Sequence, residues 1–404
     1  MIGKKHAMTT VTWSEDGTPR TALWRAENGT PAPSDIVTVD DHTPASTAIR
    51  LARSGTGLLW RGDFHNARQL MRAMDRRIKR RASRAQDAAE PADAFRANRK
   101  ARSQRAALLG KILIALEPDH TILLRRAPDA RAAFSHAYGP PAGERADGAR
   151  ETSLVSLVSL PELLGIIGAY EWHRNGIDIP ALGSRIHPAY GVFAPTRNEY
   201  IDLVAATPLP IGDEPPVAFD IGTGTGVLAA LLARRGAGEV VATDVNPRAV
   251  QCARENIHHL GLADRVGVDE SDLWPSSHQR ADLVVCNPPW LPGHPTSTLE
   301  LGIYDPASTM LNRFLTELPD HLTPRGEGWL ILSDLAEHLG LRPHDALLQR
   351  IADAGLTVTG RHETTPRHPR VTDSADPLHT ARARERTVLW RLTTQTPPLP
   401  APGH

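Results

Sequence analysis

Two short clusters in this chain carry residue types that can do chemistry together. In the first, Asp220, Gly222, Thr223, Gly224 and Gly226 stand in AFDIGTGTG, where an apolar run ends in alternate glycines. A glycine turn between a strand and a helix lets a nucleotide-like ligand approach the backbone closely. In the second, VVCNPPW, an apolar run ends at Asn287, Pro288, Pro289 and Trp290. A planar NH2 group is a weak nucleophile because its lone pair is delocalised. The Asn287 side-chain carbonyl and the Pro288 backbone carbonyl can each accept one of its hydrogens, which orients the nitrogen and favours its rehybridisation. Proline removes backbone donors and fixes the turn, and Trp290 offers an aromatic face. Asp244 and Asp272 lie between the clusters. Cys286 precedes Asn287 and should point into the sheet as a packed thiol.

Positioning these residues takes a parallel sheet. From Val217 onward short apolar runs alternate with helical stretches. The strand candidates are Val217 to Ile221, Glu239 to Thr243, Val266 to Asp269, Asp282 to Cys286, Gly328 to Leu332, Leu356 to Gly360 and Thr387 to Leu392. Helical patterns cover Val227 to Arg235, Pro247 to Leu260, Ser308 to Leu322 and His344 to Ala354. Such alternation implies right-handed crossovers and a sheet covered on both faces. Ligands of such sheets sit beyond the carboxyl ends of the central strands. No helix is read between the last two strand candidates.

The first half reads differently. TALWRA, SDIVTVD and TILLRR (Thr121 to Arg126) read as strands. Between Arg61 and Gly110 stand 14 Lys or Arg against 5 Asp or Glu, a local balance of +9 in a chain with 46 of each sign. Leu70, Met71, Met74 and Ile78 recur there at helical spacing. After a break at Ala88 to Ala92, a second helix is predicted over Ala101 to Leu116, with Leu108, Leu109, Ile112 and Leu113 as its buried face. Such a basic pair is either a solvated face or an electrostatic footprint for nucleic acid. Few aromatics interleave with the arginines, so phosphate contact fits better than base stacking. Pro140 to Ala149 reads as a linker and Leu154 to Trp172 as one or two helices. The tail from Gln395 to His404 carries four prolines and reads as disordered. The predicted division is an α+β domain over 1–150, a helical connector over 151–182, a catalytic domain over 183–394 and a tail over 395–404.

Composition excludes several classes. Two cysteines, Cys252 and Cys286, make no disulfide framework and point to a reducing compartment. MIGKKHAMTTVTW has no apolar core of the signal-peptide kind. The most apolar run, Leu154 to Ala169, is interrupted by Pro161 and Glu162 and is too short to span a bilayer. A soluble cytoplasmic protein without a membrane partner is the expectation. The histidines between Arg361 and Arg370 stand among prolines and arginines and suit a basic substrate-side loop, so no metal is expected.

Together the two clusters resemble the class I S-adenosylmethionine methyltransferases, in the Asn-Pro-Pro-aromatic branch (methyltransferase small domain) that methylates planar nitrogens. The resemblance runs from about Gly183 to Leu392. It implies an α/β fold, a seven-stranded doubly wound Rossmann-like sheet ending in an antiparallel hairpin, with the N-terminal α+β domain as an addition. It implies S-adenosylmethionine as cofactor, cradled by Gly222, Thr223, Gly224 and Gly226. Asp220 would reach the methionyl amine directly or through water, Asp244 both ribose hydroxyls, and Asp272 the adenine amino group. Asn287 would face both cofactor and acceptor. Phe193 and Pro195 match the family's substrate-covering Phe-x-Pro, whereas Arg197, Asn198 and Glu199 depart from its usual Arg-x-Glu-Thr continuation. A nicotinamide-binding fold spaces its glycines G-x-G-x-x-G rather than G-x-G-x-G and has no use for Asn-Pro-Pro-Trp. Within the family the acceptor turn occurs in adenine N6 and guanine N2 methyltransferases of RNA or DNA and in release-factor glutamine methyltransferases. The expected substrate is a nucleobase amino group in structured RNA, recruited by the basic helical pair. Protein glutamine and a small-molecule nitrogen are the alternatives. A catalytically silent RNA-binding relic is the reading from another class, and the intact acceptor turn argues against it.

Overall fold

The computed structural model describes residues 9–82, 90–141, 154–210, 212, 214–277, 279–295, 297, 299–367 and 376–394. The chain divides into two units, Met1–Glu171 and Trp172–His404.

The first unit is built on a six-stranded sheet. Its strands are β1 (Thr10–Glu15), β2 (Thr18–Arg25), β3 (Ile36–Val39), β4 (Gly57–Trp60), β5 (Ile112–Leu116) and β6 (Ser156–Ser159), in the order β1-β2-β6-β5-β4-β3. β3, β4 and β5 run parallel. All four residues of β4 are buried, the pattern of a parallel strand covered on both faces. Helix α1 (Ala45–Arg53) links β3 to β4, and α2 (Phe64–Ala82) and α3 (Pro91–Leu109) link β4 to β5. In α2, Phe64, Ala67, Leu70 and Met74 are buried at helical spacing, while Arg72, Arg76, Arg77, Lys79 and Arg80 are exposed. Asp75 joins α2 to α3 through Arg105 and pairs with Lys79 at 3.2 Å. Helix α4 (Arg131–Tyr138) comes between β5 and β6, and α5 (Leu160–Asn175) follows β6 directly.

Three expectations for this half are corrected. The second basic helix ends at Leu109 with Gly110 as its cap, and Ile112–Leu116 is a central strand. An apolar run of that length suits a helix face or a buried strand equally, and pairing with β4 and β6 decides for the strand. Thr121 to Arg126 is not a strand. Thr121 bonds back to Asp119, Arg126 has φ 58°, and Arg125 and Arg126 both bind the buried Asp63 carboxylate at 2.9 and 2.7 Å. The stretch 151–182 is not a helical connector: β6 belongs to the first sheet, and the division between units falls at Glu171. Most of the predicted linker and all of the tail lie outside the described residues.

The second unit opens with a hairpin of β7 (Ile177–Ile179) and β8 (Ser184–Ile186) and with α6 (Glu199–Ala206). Then come β9 (Val217–Ile221), α7 (Val227–Arg234), β10 (Glu239–Asp244), α8 (Pro247–His259), β11 (Val266–Glu270), β12 (Ala281–Cys286) and α9 (Thr309–His321). It closes with β13 (Leu322–Ser333), α10 (Leu335–His338), α11 (Ala346–Asp353), β14 (Leu356–Thr364), α12 (His379–Arg384) and β15 (Thr387–Thr394). The sheet has seven strands in the order β11-β10-β9-β12-β13-β15-β14. β15 is antiparallel to both neighbours and the other pairings are parallel. The six-residue α12 stands where no helix was expected, between β14 and β15.

Period-2 alternation divides the strand side chains between two cores. Ala218, Val240 and Val285 pack with α6, α7 and α8, whereas Phe219, Ile221, Val284 and Cys286 pack with α9 and α11. Residues 227–233 of α7 are all buried, so it is a core helix rather than an amphipathic cover. Among the described residues no helix is long and apolar enough to cross a membrane.

Candidate active site

Register sets the site. Thr243 of β10 and Cys286 of β12 both pair with Ile221 of β9. The next residue on each strand is Asp244, Asn287 and Gly222 respectively. Neighbouring strands lie about 4.8 Å apart, so three residues from distant parts of the sequence emerge side by side at the carboxyl edge.

The glycine turn is held by backbone hydrogen bonds. The amides of Gly222 and Thr223 both donate to the Thr243 carbonyl at 2.9 Å, and Gly226 N donates to the Thr223 carbonyl at 3.0 Å. Gly222, Gly224 and Gly226 have φ of 73°, 58° and 80°, values that side chains with a Cβ rarely adopt. Gly226 also lies against α8, where an added Cβ would meet Ala253 at 3.2 Å. By contrast, a Cβ on Gly224 would enter open space. Gly224 N donates to Asp244 Oδ2 at 3.0 Å, and Asn246 N donates to Oδ1 at 2.9 Å. Each carboxylate oxygen keeps a lone pair for a ligand hydroxyl. Burial pushes the Asp244 carboxyl up, against the pull of these amides. The exposed Val245 comes next, an apolar surface beside the cradle. An open glycine turn beside a carboxylate and an apolar side chain fits a nucleoside carrying a ribose.

Asp220 is tied into the turn itself. Its Oδ2 accepts from Thr223 Oγ1 at 2.7 Å and from Ala229 N at 3.0 Å, and the residue is 1% exposed. It therefore joins the turn to α7, and Thr223 turns its hydroxyl inward to meet it. Burial pushes the Asp220 carboxyl up to about 6. Asp272 is exposed, and both its oxygens accept from Arg313 Nη1, at 3.0 and 2.9 Å. The turn around it is nonetheless stitched to β10, with Ser271 N donating to the Asp244 carbonyl at 3.0 Å.

At the acceptor turn Trp290 Nε1 donates to Asn287 Oδ1 at 2.9 Å. An indole N–H is only a donor, so the Asn287 atom facing it must be the oxygen. The carboxamide orientation is fixed, and a lone pair of Oδ1 remains for an incoming N–H. Arg197 Cζ lies 4.9 Å from the centre of the Trp290 ring, so one ring face is already taken. Pro288 is buried, and Pro289 and Trp290 are half-buried, with Trp290 packed against both cores. Phe193 is exposed beside the 3-10 turn Leu299–Gly302, where a Cβ on Gly302 would meet Phe193 Cβ at 3.0 Å. Pro195 is buried and shapes the chain instead of facing a ligand. Cys286 is buried in the core and burial holds its thiol well above its ordinary range, as suits a packing residue. No group of His, Cys, Asp or Glu among the described residues could hold a metal ion. His368 and Arg370 lie outside those residues.

Sequence reasoning missed Asn256 and Asp305. The buried Asn256 accepts from His187 N at 2.8 Å and donates to the Thr225 carbonyl at 3.0 Å, so it ties the glycine turn to the segment leading to Phe193. Asp305 accepts from Met310 N and Leu311 N, both at 3.1 Å, and starts α9 beside Gly222. An asparagine inside a helical pattern gives no such signal.

A family model described as the methyltransferase small domain matches residues 191–350. A putative protein N5-glutamine methyltransferase of Methanocaldococcus jannaschii is 28% identical over 165 residues, which cover 39% of this chain and 80% of that one. A release factor glutamine methyltransferase of Cereibacter sphaeroides is 39% identical over 148 residues, 35% of this chain and 49% of that one. A tRNA1(Val) (adenine(37)-N6)-methyltransferase of Porphyromonas gingivalis is 39% identical over 88 residues, 20% of this chain and 34% of that one. The chain thus spans about half of the second relative and a third of the third.

Two measurements check this geometry. Asp244→Ala should weaken binding of S-adenosylmethionine or its demethylated product by about 2–3 kcal/mol, the scale of a lost hydrogen bond to a charged group. Calorimetry giving an unchanged dissociation constant would remove Asp244 from the site. For Asp220, the folded carboxyl titrates near 6 against an unfolded value of 3.8. The folded state therefore holds the proton between those values, and this group's contribution to stability falls as pH rises through the window. Asp220→Asn should relieve a penalty on the order of 3 kcal/mol above that window. If the unfolding free energies of wild type and variant differ by the same amount at pH 4 and pH 7, the raised carboxyl is wrong.

Proposed function

We propose that this chain, whose residues 191–350 match the methyltransferase small domain and which resembles glutamine and adenine-N6 methyltransferases, methylates a planar NH2 group, and that this group is a nucleobase amine in RNA. One observation carries the transfer reading: Asn287, its oxygen fixed by the Trp290 N–H, stands one residue beyond the rung shared at Ile221, as do Gly222 and Asp244. The acceptor is thereby set beside the cradle rather than remote from it.

When bound, S-adenosylmethionine supplies an activated methyl on a sulfonium. Gly222 and Gly224 would admit it, and Asp244 would hold its ribose. Asn287 Oδ1 accepts one hydrogen of the substrate amine and the Pro288 carbonyl the other, which turns the nitrogen lone pair out of conjugation. This is catalysis by orientation and preorganised electrostatics. No general base is required before transfer; the N–CH3 bond forms as the S–CH3 bond breaks, the thioether leaves neutral, and the methylated nitrogen then sheds its extra proton to solvent.

The exposed Arg72, Arg76, Arg77, Lys79 and Arg80 on one side of α2 support RNA as the substrate. Arginine-rich faces of this kind meet phosphates without reading bases. A second reading, methylation of a protein glutamine, is favoured by the glutamine methyltransferases among the relatives.

Methyl transfer from tritiated cofactor into total RNA or protein, both from a strain lacking this protein, decides between them. RNA should be labelled, and Asn287→Ala should cut turnover about a hundredfold while the cofactor dissociation constant moves less than about threefold. If Asn287→Ala abolishes cofactor binding in step with activity, the acceptor role fails. RNA affinity should fall by about 0.9 log unit per log unit of salt for each phosphate engaged. Charge reversal at Arg76, Arg77 and Arg80 should remove it and spare cofactor binding. Label entering protein after nuclease treatment, with RNA unlabelled, would replace the RNA reading by the glutamine one.

A further inference from the structure

Arg197 precedes α6 and departs from the residue pattern usual at that place, and its side chain is only 19% exposed. Nε donates to Glu199 Oε1 at 2.5 Å and Nη2 to Glu385 Oε1 at 3.2 Å. Both glutamates are 1% exposed. Glu385 Oε1 also accepts from Ser333 Oγ at 2.7 Å, and Ser333 Oγ accepts from Leu335 N at 3.0 Å. Ser333 is the last residue of β13, the strand beside β12. The guanidinium is thus held to the sheet by two buried carboxylates, and charge-assisted bonds of this kind leave it few orientations.

Its flat face meets Trp290. With Cζ 4.9 Å from the ring centre, the pair is a cation–π contact. The same indole gives its N–H to Asn287 Oδ1. Glu199 and Glu385 therefore hold Arg197, Arg197 holds the ring, and the ring holds the carboxamide. If the indole swings away, the Asn287 side chain is free to flip. It would then offer its own NH2 to the NH2 of the substrate, donor against donor. We propose that Arg197 is a positioning residue for methyl transfer, acting through Trp290 on the orientation of Asn287. This rests on the transfer reading above and adds to it a residue that touches neither cofactor nor amine.

A lysine keeps the charge between the glutamates and loses the planar fork, so Arg197→Lys is the informative variant. Trp indoles are labelled with nitrogen-15, and the Trp290 resonance is identified by its loss in Trp290→Phe. In Arg197→Lys the Trp290 N–H should exchange with solvent about tenfold faster. Turnover should fall about tenfold, with the cofactor dissociation constant moving less than about threefold. In the Trp290→Phe background, which has no N–H to position, Arg197→Lys should cost nothing further. The same tenfold loss in both backgrounds would overturn the proposal, as would unchanged indole exchange in the folded Lys variant. Glu385→Gln should reproduce the faster exchange more weakly and gives a second reading if the lysine variant folds poorly. If no RNA or protein fraction accepts label, the transfer reading fails, while indole exchange still decides whether Arg197 holds Trp290.

Discussion

Ile221 occupies the last rung that three parallel strands share, and nearly everything chemical in this protein is arranged by the residues one step beyond that rung. There the backbone of β9 turns through Gly222, β10 ends in Asp244, and β12 runs out into Asn287. No long-range side-chain contact is needed to bring the three together, because strand spacing does it. The constraint is severe, since a one-residue slip of β12 would turn Asn287 toward the opposite face and bring Cys286 out of the core. Packing guards against that slip: Val284 and Cys286 fill one core and Val285 the other, each completely buried.

The acids of the cradle are held by neutral donors rather than by cations. Asp244 accepts from two amides and Asp220 from an amide and a hydroxyl. Amide dipoles orient a carboxylate without pairing it to a cation, so Asp244 keeps spare lone pairs for a ligand. Ion pairs stand at the periphery of the site, at Asp272 with Arg313 and at Arg197 with its two glutamates. The division separates groups that must stay available from groups that must stay still.

Local signals were legible in the sequence and distant ones were not. The glycine turn, the Asn-Pro-Pro-Trp turn and the strands that lead into them are each written in a few adjacent residues, and they fall within the residues 191–350 that match the methyltransferase small domain. The run Ile112–Leu116 misleads because a buried strand and a buried helix face share a composition, and only β4 and β6 settle which it is. β6 hides in an apolar stretch that continues directly into α5. Asp272 looks free in sequence, and its partner Arg313 comes 41 residues later. Arg197 and Glu385 are 188 residues apart, and nothing near either one announces the other.

The strand order also imposes a schedule on synthesis. β10 to β13 can each join an existing neighbour soon after emerging, because the sheet grows outward from β9. β14 cannot, since its one neighbour in the sheet is β15, which is made after it and slots between β14 and β13. Until then β14 waits with an unpaired edge, and Glu385, just before β15, has not reached Arg197. A nascent chain can therefore close the turn between Gly224 and Asp244 well before Arg197 meets Glu385. On the proposed function, the contacts for the cofactor come earlier in synthesis than the brace on the acceptor turn.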